Sequence, residues 1–318
     1  NPVTGQVWYN TTTNVVKGKI VTTAGAWSTG GTVNTARNGL NSGGAGTQAA
    51  ALIFGGSVPP FSALTESYNG SAWTEVGDLN TARYALGGAG ATNTAVLAFG
   101  GDSPPKNETE LWGGSSWTEV ANLNTPRGYG AGVGVSTAAL FVAGNYPVSA
   151  VVEQWNGSSW TEIADVNTAV YELRGVGTVT NAIKFGGRLQ PGTRQAITES
   201  WNGSSWTEVA DLNTARSDLA AGGTYTAALA FGGNGTAISA LTEQWNGSAW
   251  TEVGDLTTAR QGLAGTGTTT AALASSGMAP SRTTATEEWN AGLPVGAWST
   301  GGALNTGRRG MGGSGLQT

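Results

Sequence analysis

The sequence predicts an all-β ring of four-stranded antiparallel blades, a single-domain β-propeller over residues 1–318, and three observations carry that prediction. The first is a repeat: 198–216 reads TESWNGSSWTEVADLNTAR, with near-copies at 65–83 and 242–260. Looser copies lie at 109–127 and 152–170, and one stretched by an insertion at 286–308. The second is its period: Trp27, Trp73, Trp117, Trp160, Trp206, Trp250 and Trp298 stand 43 to 48 residues apart. Periods of that size with strand-like content mark solenoids and propellers. The third is the content itself, short apolar runs closed by Gly-Gly or Asn-Gly turn signals.

Each unit divides into four strands, and 83–123 shows how. Residues 84–89 are glycine-rich, as suits a strand crowded against a central axis. Residues 94–99 (TAVLAF) are a short apolar run ended by Gly100-Gly101, the signature of a buried strand. Two further strands, 109–112 and 117–120, flank a turn that elsewhere reads Asn-Gly-Ser, at Asn69, Asn156, Asn202 and Asn246. Asn-Gly supplies the positive φ angles of a tight hairpin. Glycosylation at these Asn-x-Ser sites is the weaker explanation of them.

Complete units run over 37–79, 83–123, 127–166, 170–212, 216–256 and 260–304. The ends then suggest closure. The C-terminal segment 308–318 reads as one extra first strand, and 6–33 supplies three more, ending in AWSTGG like 297–302. Together they predict a seventh, composite blade, since closing the ring removes exposed sheet edges. Six blades with frayed ends is the alternative. The chain begins at Asn1, which fits a processed product or part of something longer.

Composition excludes several classes. Charged residues are 11 % and the net charge is −5, so nucleic acid, which needs clustered Lys and Arg, is not the expected partner. With no Cys and no His, disulfides, thiolate or imidazole metal sites and His-assisted nucleophiles are ruled out. No cofactor and no metal are expected. No apolar run approaches the ~20 residues that span a bilayer, so no membrane insertion is expected.

A hydrophobic strand ending in Gly-Gly, then an aromatic, a Trp about five residues on, and an Arg resembles the kelch motif. Here it is Phe54-Gly55-Gly56, Tyr68, Trp73, Arg83, and again Phe231-Gly232-Gly233, Trp245, Trp250, Arg260. The resemblance covers nearly the whole chain and implies fold rather than function. Galactose oxidase shares that fold, but its copper site needs His and a Tyr–Cys crosslink, so its activity does not carry over and no enzyme is expected. TGQVWYNTTTN at 4–14, followed by AWSTGG and the NTAR repeats, resembles structural proteins of tailed marine bacteriophages. That resemblance implies a tail, fibre or capsid-surface component within a larger assembly. Its partners would be other virion proteins or a host-surface glycan or receptor. An extracellular bacterial adhesin or filament subunit, or a purely structural decoration protein, are the alternatives.

Candidate residues fall into two groups. Glu66, Glu110, Glu153, Glu199, Glu243 and Glu287 stand in register, as do Arg37, Arg83, Arg127, Arg216, Arg260 and Arg308. Paired Arg–Glu contacts in or between blades explain them better than charged rings around a channel, because a buried charge persists only when paired. The Trp series suits blade-to-blade packing better than sugar stacking. The loops after Gly-Gly, by contrast, differ in every unit and share a face with the DLNTAR connectors. Phe61, Lys106, Tyr146, Arg188, Gln190, Arg194 and Arg282 are the binding candidates on that face. The fourth unit has Val170 in place of Arg and gains Arg174, Lys184, Arg188 and Arg194, a possible basic spot for an acidic glycan or a protein neighbour.

Overall fold

The computed structural model describes residues 25–40, 43–102, 104–145 and 147–291, together with the backbone of two further strands. Those two, Val7–Asn10 and Val15–Gly18, pair antiparallel with Val7 opposite Gly18. Residues 25–291 form a separate unit. Among the described residues it contains six four-stranded antiparallel blades.

Blades one to five each take four successive strands, innermost first. Blade one is Gly44–Thr47, Ala50–Phe54, Thr65–Tyr68 and Trp73–Glu75. Blade two starts with Gly87–Thr92 and ends with Trp117–Val120. Blade three runs from Ala131–Val135 to Trp160–Ile163, blade four from Arg174–Gly177 to Trp206–Glu208, and blade five from Ala220–Thr224 to Trp250–Glu252.

Blade six takes Ala264–Gly267, Ala271–Ser275 and Thr286–Asn290, and completes itself with Ala26–Thr29. This corrects the seven-bladed expectation. Ala26–Thr29, expected in a seventh blade, lies antiparallel to Thr286–Asn290 with Trp27 opposite Trp289. It holds the outer position that had been given to the Trp298 strand. The physical reason is that AWSTGG occurs twice, at 26–31 and 297–302, and either copy matches the outer-strand pattern. Residues 292–304 of the expected sixth unit and the 308–318 strand, with Trp298 and Arg308, lie outside the described residues.

Local chemistry explains the elements. The second strands are buried almost end to end, so they read as apolar runs. Innermost strands approach so closely that a Cβ on Gly132 would lie 2.3 Å from the carbonyl oxygen of Gly88 in the preceding blade. In the outer hairpins only the glycine takes the left-handed conformation, as at Gly203 (φ 95°). The asparagine works through its side chain instead: Asn202 Oδ1 accepts from the N–H of Ser204 and of Ser205, each at 2.9 Å.

Blades are joined by a repeated pair of contacts. A second-strand Phe packs on the outer Trp of the next blade: Phe54 on Trp117, Phe99 on Trp160, Phe185 on Trp250 and Phe231 on Trp27, at 4.8–5.0 Å between ring centroids. The indole N–H of that Trp donates to a third-strand Thr of the preceding blade, at 3.0–3.2 Å for Trp27, Trp73, Trp117, Trp160 and Trp250. Trp73 reaches Thr286 and Trp27 reaches Thr242, so the contacts run unbroken through the junction of blades six and one. Blade three carries Val152 where the others have Thr, and Trp206 donates to the Ala164 carbonyl instead.

The registered charges pair inside each blade. Arg37–Glu66, Arg83–Glu110, Arg127–Glu153, Arg216–Glu243 and Arg260–Glu287 are 2.5–2.9 Å apart and almost fully buried. The second carboxylate oxygen accepts from the connector arriving from the preceding blade. Asn34, Asn80, Asn124, Asn167 and Asn213 each donate a backbone and a side-chain N–H to it, and Thr257 its N–H and hydroxyl, at 2.6–2.9 Å. Blade four, with Val170 for Arg, supplies its cation from the second strand: Lys184 Nζ lies 2.7 Å from Glu199 Oε1, both fully buried.

Removing one member of a buried pair strands the other charge, at a cost of about 3–5 kcal/mol. Lys184→Met is therefore expected to lower the melting temperature sharply, and Val170→Arg with Lys184→Ala to restore it by rebuilding the pair of the other blades. Thermal unfolding followed by circular dichroism checks both; a double variant no more stable than Lys184→Met would refute the exchange. Trp27→Ala, which empties the outer strand of blade six, is expected to cost about 3–5 kcal/mol by chemical denaturation. A change near zero would mean that Ala26–Thr29 does not close the ring.

Candidate functional site

Two residues after each connector Arg, or after Val170, the chain turns into its innermost strand through a left-handed residue. These are Gly39, Ala85, Tyr129, Glu172, Asp218 and Gly262, with φ between 53° and 63°. Their backbones form a collar around the axis. Ala85 donates its N–H to Gly39, Tyr129 to Ala85, Glu172 to Tyr129, Asp218 to Glu172 and Gly262 to Asp218, at 2.7–3.0 Å, and Leu40 donates to Gly262 at 3.3 Å. Glycine meets this need without strain in blades one and six, whereas a side chain in that region is disfavoured. Four successive blades nevertheless place a side chain there, Ala85 in blade two and the larger Tyr129, Glu172 and Asp218 in blades three to five.

The residue just before each collar position bridges to the first residue of the variable loop in its own blade: Tyr84 to Asp102, Tyr171 to Arg188, Ser217 to Asn234. This brings loop side chains to the collar. Phe61 stacks on Tyr84 at 5.0 Å with planes 5° apart. The Tyr84 hydroxyl donates to Asp102 Oδ2 at 2.9 Å and accepts from the Tyr129 hydroxyl at 3.1 Å. Tyr129 meets Tyr171 edge-on at 6.4 Å, and the Arg188 guanidinium lies 4.8 Å over the Tyr171 ring while pairing with Glu172. The result is a continuous aromatic arc, with Phe61, Tyr84 and Tyr129 half-buried, ending in an acid–guanidinium pair. Such a surface offers apolar ring faces beside directional hydrogen-bonding groups.

The acids in the cluster are perturbed. Desolvation, and then the neighbouring Asp218 carboxylate, push Glu172 up to about 7 against the pull of Arg188 and the Ser217 hydroxyl. Desolvation also raises Asp218, opposed by Arg174, Arg188 and Arg194. Burial raises Tyr129 and Tyr84 as well, so both hydroxyls stay protonated donors near neutrality.

The sequence candidates distribute unevenly. Phe61 and Arg188 sit in the arc. Arg194 reaches blade five, donating to the Asn234 carbonyl at 3.1 Å and to its Oδ1 at 3.0 Å. Arg282 spans blades six and one, donating from Nε to Asn38 Oδ1 at 2.7 Å and to the Ser57 carbonyl at 2.9 Å. Lys106 stands 3.5 Å from Glu108, outside the arc, Gln190 is exposed, and Tyr146 lies outside the described residues.

The basic spot expected in unit four is not one surface feature. Lys184 and Arg174 are buried, and only Arg188 and Arg194 reach the loop face. Sequence reasoning passed over Tyr84, Tyr129, Tyr171, Glu172 and Asp218. Their signal was variation at the two positions following the registered Arg, in a connector whose other positions hardly change.

Among the described residues no group of three or more acidic side chains is gathered to hold a metal ion. The four-stranded blades are consistent with kelch-type repeats. No protein-family model matches the chain, and no curated protein matches it.

A carboxyl group raised in the fold contributes stability below its unfolded value and loses it as pH rises through the folded value. For Glu172 that window runs from its ordinary range, near 4.5, to about 7. Glu172→Gln, neutral throughout, is expected to gain melting temperature relative to the wild type between pH 5 and about 8. A difference that stays constant across that range would show that Glu172 titrates normally.

Proposed function

We propose that the propeller is a binding module without catalytic activity, and that it recognises a glycan through the aromatic and charged arc on its loop face. The observation that carries this reading is the collar. Where glycine suffices in blades one and six and blade two carries only the methyl of Ala85, blades three to five hold the larger Tyr129, Glu172 and Asp218 in the same strained conformation, and such strain concentrates at functional sites. Half-buried tyrosine faces suit the apolar faces of a sugar ring, and the neighbouring carboxyl and guanidinium groups suit its hydroxyls. The resemblance to structural proteins of tailed bacteriophages supports a virion surface as the setting. A host-surface glycan is then the favoured ligand, and a neighbouring virion protein the second.

Glycan-array and whole-cell binding of the intact protein test the reading. Tyr84→Ala and Arg188→Ala are each expected to weaken binding about tenfold, equivalent to ~1.4 kcal/mol, measured well below the melting temperature of each variant, with circular dichroism verifying that both are folded. Binding undiminished in both variants would remove the arc from recognition. No binding to any glycan or cell, with incorporation into particles intact, would leave a structural role.

A further inference from the structure

The third-strand glutamate of blade four holds a cation unlike those of the other five blades. In those five, an arginine donates a directed hydrogen bond to its glutamate. Arg37, Arg83, Arg216 and Arg260 also donate from Nη1 to two backbone carbonyls each. Lys184 has no such set. Its Nζ lies 2.7 Å from Glu199 Oε1, but it is buried and makes no directed hydrogen bond. An ammonium carries three donors, and leaving them unused in the interior is costly. Burial lowers the pKa of Lys184 against the pull of Glu199, which favours the neutral amine.

The other oxygen of the same carboxylate holds a primary amide. Asn167 donates to Glu199 Oε2 from its backbone N–H at 2.7 Å and from Nδ2 at 2.9 Å. Nδ2 also donates to the Trp206 carbonyl at 3.1 Å. Asn167 is exposed, whereas Lys184 and Glu199 are fully buried. An amine and a carboxamide thus meet on one buried carboxylate, and among the described residues this happens only in blade four. Elsewhere the Asn faces an arginine, whose guanidinium stays protonated and is no nucleophile. In blade six the amide is itself replaced, by Thr257.

We propose that Lys184 and Asn167 join in an intramolecular amide cross-link, with Glu199 carrying the proton. Glu199 Oε1 takes one proton from the Lys184 ammonium, and the freed electron pair on Nζ attacks Asn167 Cγ. The flexible four-carbon stem of lysine gives Nζ the freedom to pass from Oε1 to the amide beside Oε2. As the Nζ–Cγ bond forms, the Cγ–Nδ2 bond breaks and its electron pair stays on Nδ2. That nitrogen takes a second proton from Nζ and leaves as ammonia on the exposed side of Asn167. A neutral secondary amide and a protonated Glu199 remain, so the step balances without a co-reactant. It replaces a poorly partnered buried ammonium and ties the connector from blade three to the second strand of blade four. The event is a single turnover within the chain, independent of the loop-face arc and of glycan recognition.

Intact-mass spectrometry of the full chain under denaturing conditions measures it. The wild type is expected to be lighter than its sequence by one ammonia. Lys184→Arg and Asn167→Thr are each expected at their full sequence mass. Both substitutions introduce residue types that other blades use around this glutamate, and circular dichroism verifies that the variants fold. Tryptic mapping of the wild type is expected to give one branched peptide joining positions 167 and 184. A wild type at full sequence mass overturns the proposal, as does an ammonia loss with no branched peptide. Asn-Gly turns also lose ammonia when they cyclise, so a loss that persists in Lys184→Arg overturns it too.

Discussion

The third-strand glutamate is the constraint on which the propeller depends. Its two oxygens do different jobs: one holds the cation of its own blade, the other holds the connector arriving from the preceding blade. A single side chain therefore fixes the innermost strand, the third strand and the blade-to-blade crossing together. A buried carboxylate needs all of these partners, because its desolvation is offset only by a full set of charge-assisted hydrogen bonds. Of fifteen basic residues in the chain, Arg37, Arg83, Arg127, Arg174, Lys184, Arg216 and Arg260 are buried. The low charge content thus describes the surface more than the interior.

Blade four shows that the constraint acts on chemistry rather than on residue identity. With Val170 in the arginine position, the cation comes from the second strand, where the other blades have Ile53, Ala98, Phe141, Ala230 and Ala274. Lysine reaches the same carboxylate from another strand. Blade three makes a similar exchange on a smaller scale, where Val152 removes a hydroxyl and Trp206 turns to a backbone carbonyl. Both exchanges keep a buried polar group partnered, since leaving one unpartnered costs about 1–3 kcal/mol.

Strand content, blade composition and the face carrying the variable loops were legible in the sequence, because each follows from local pattern: an apolar run, a Gly-Gly stop, an Asn-Gly turn. Blade number was not. Pattern tells which segment can be an outer strand, and two AWSTGG copies qualify equally for the edge beside Trp289. Choosing between them is a long-range decision about ring closure, which no local propensity contains. The same limit hid the fates of the four cations of unit four. Sequence shows that Arg174 and Lys184 are new to their positions, but not that one meets Glu199 and the other stands at the axis.

The collar separates what holds the ring from what the ring presents. Gly39 and Gly262 show that its hydrogen bonds need no side chain. A left-handed side chain costs roughly 1–2 kcal/mol at each position, so Tyr129, Glu172 and Asp218 work against the fold that carries them. The scaffold tolerates this because the backbone at those points is held from both sides by collar bonds and behind by the glutamate clasp. Ala85 in blade two takes the same conformation with only a methyl group, so what sets blades three to five apart is the chemistry of the side chain and not the strain alone. At the same backbone position glycine and alanine leave the loop face bare, whereas Tyr129, Glu172 and Asp218 add a ring and two carboxyl groups to it.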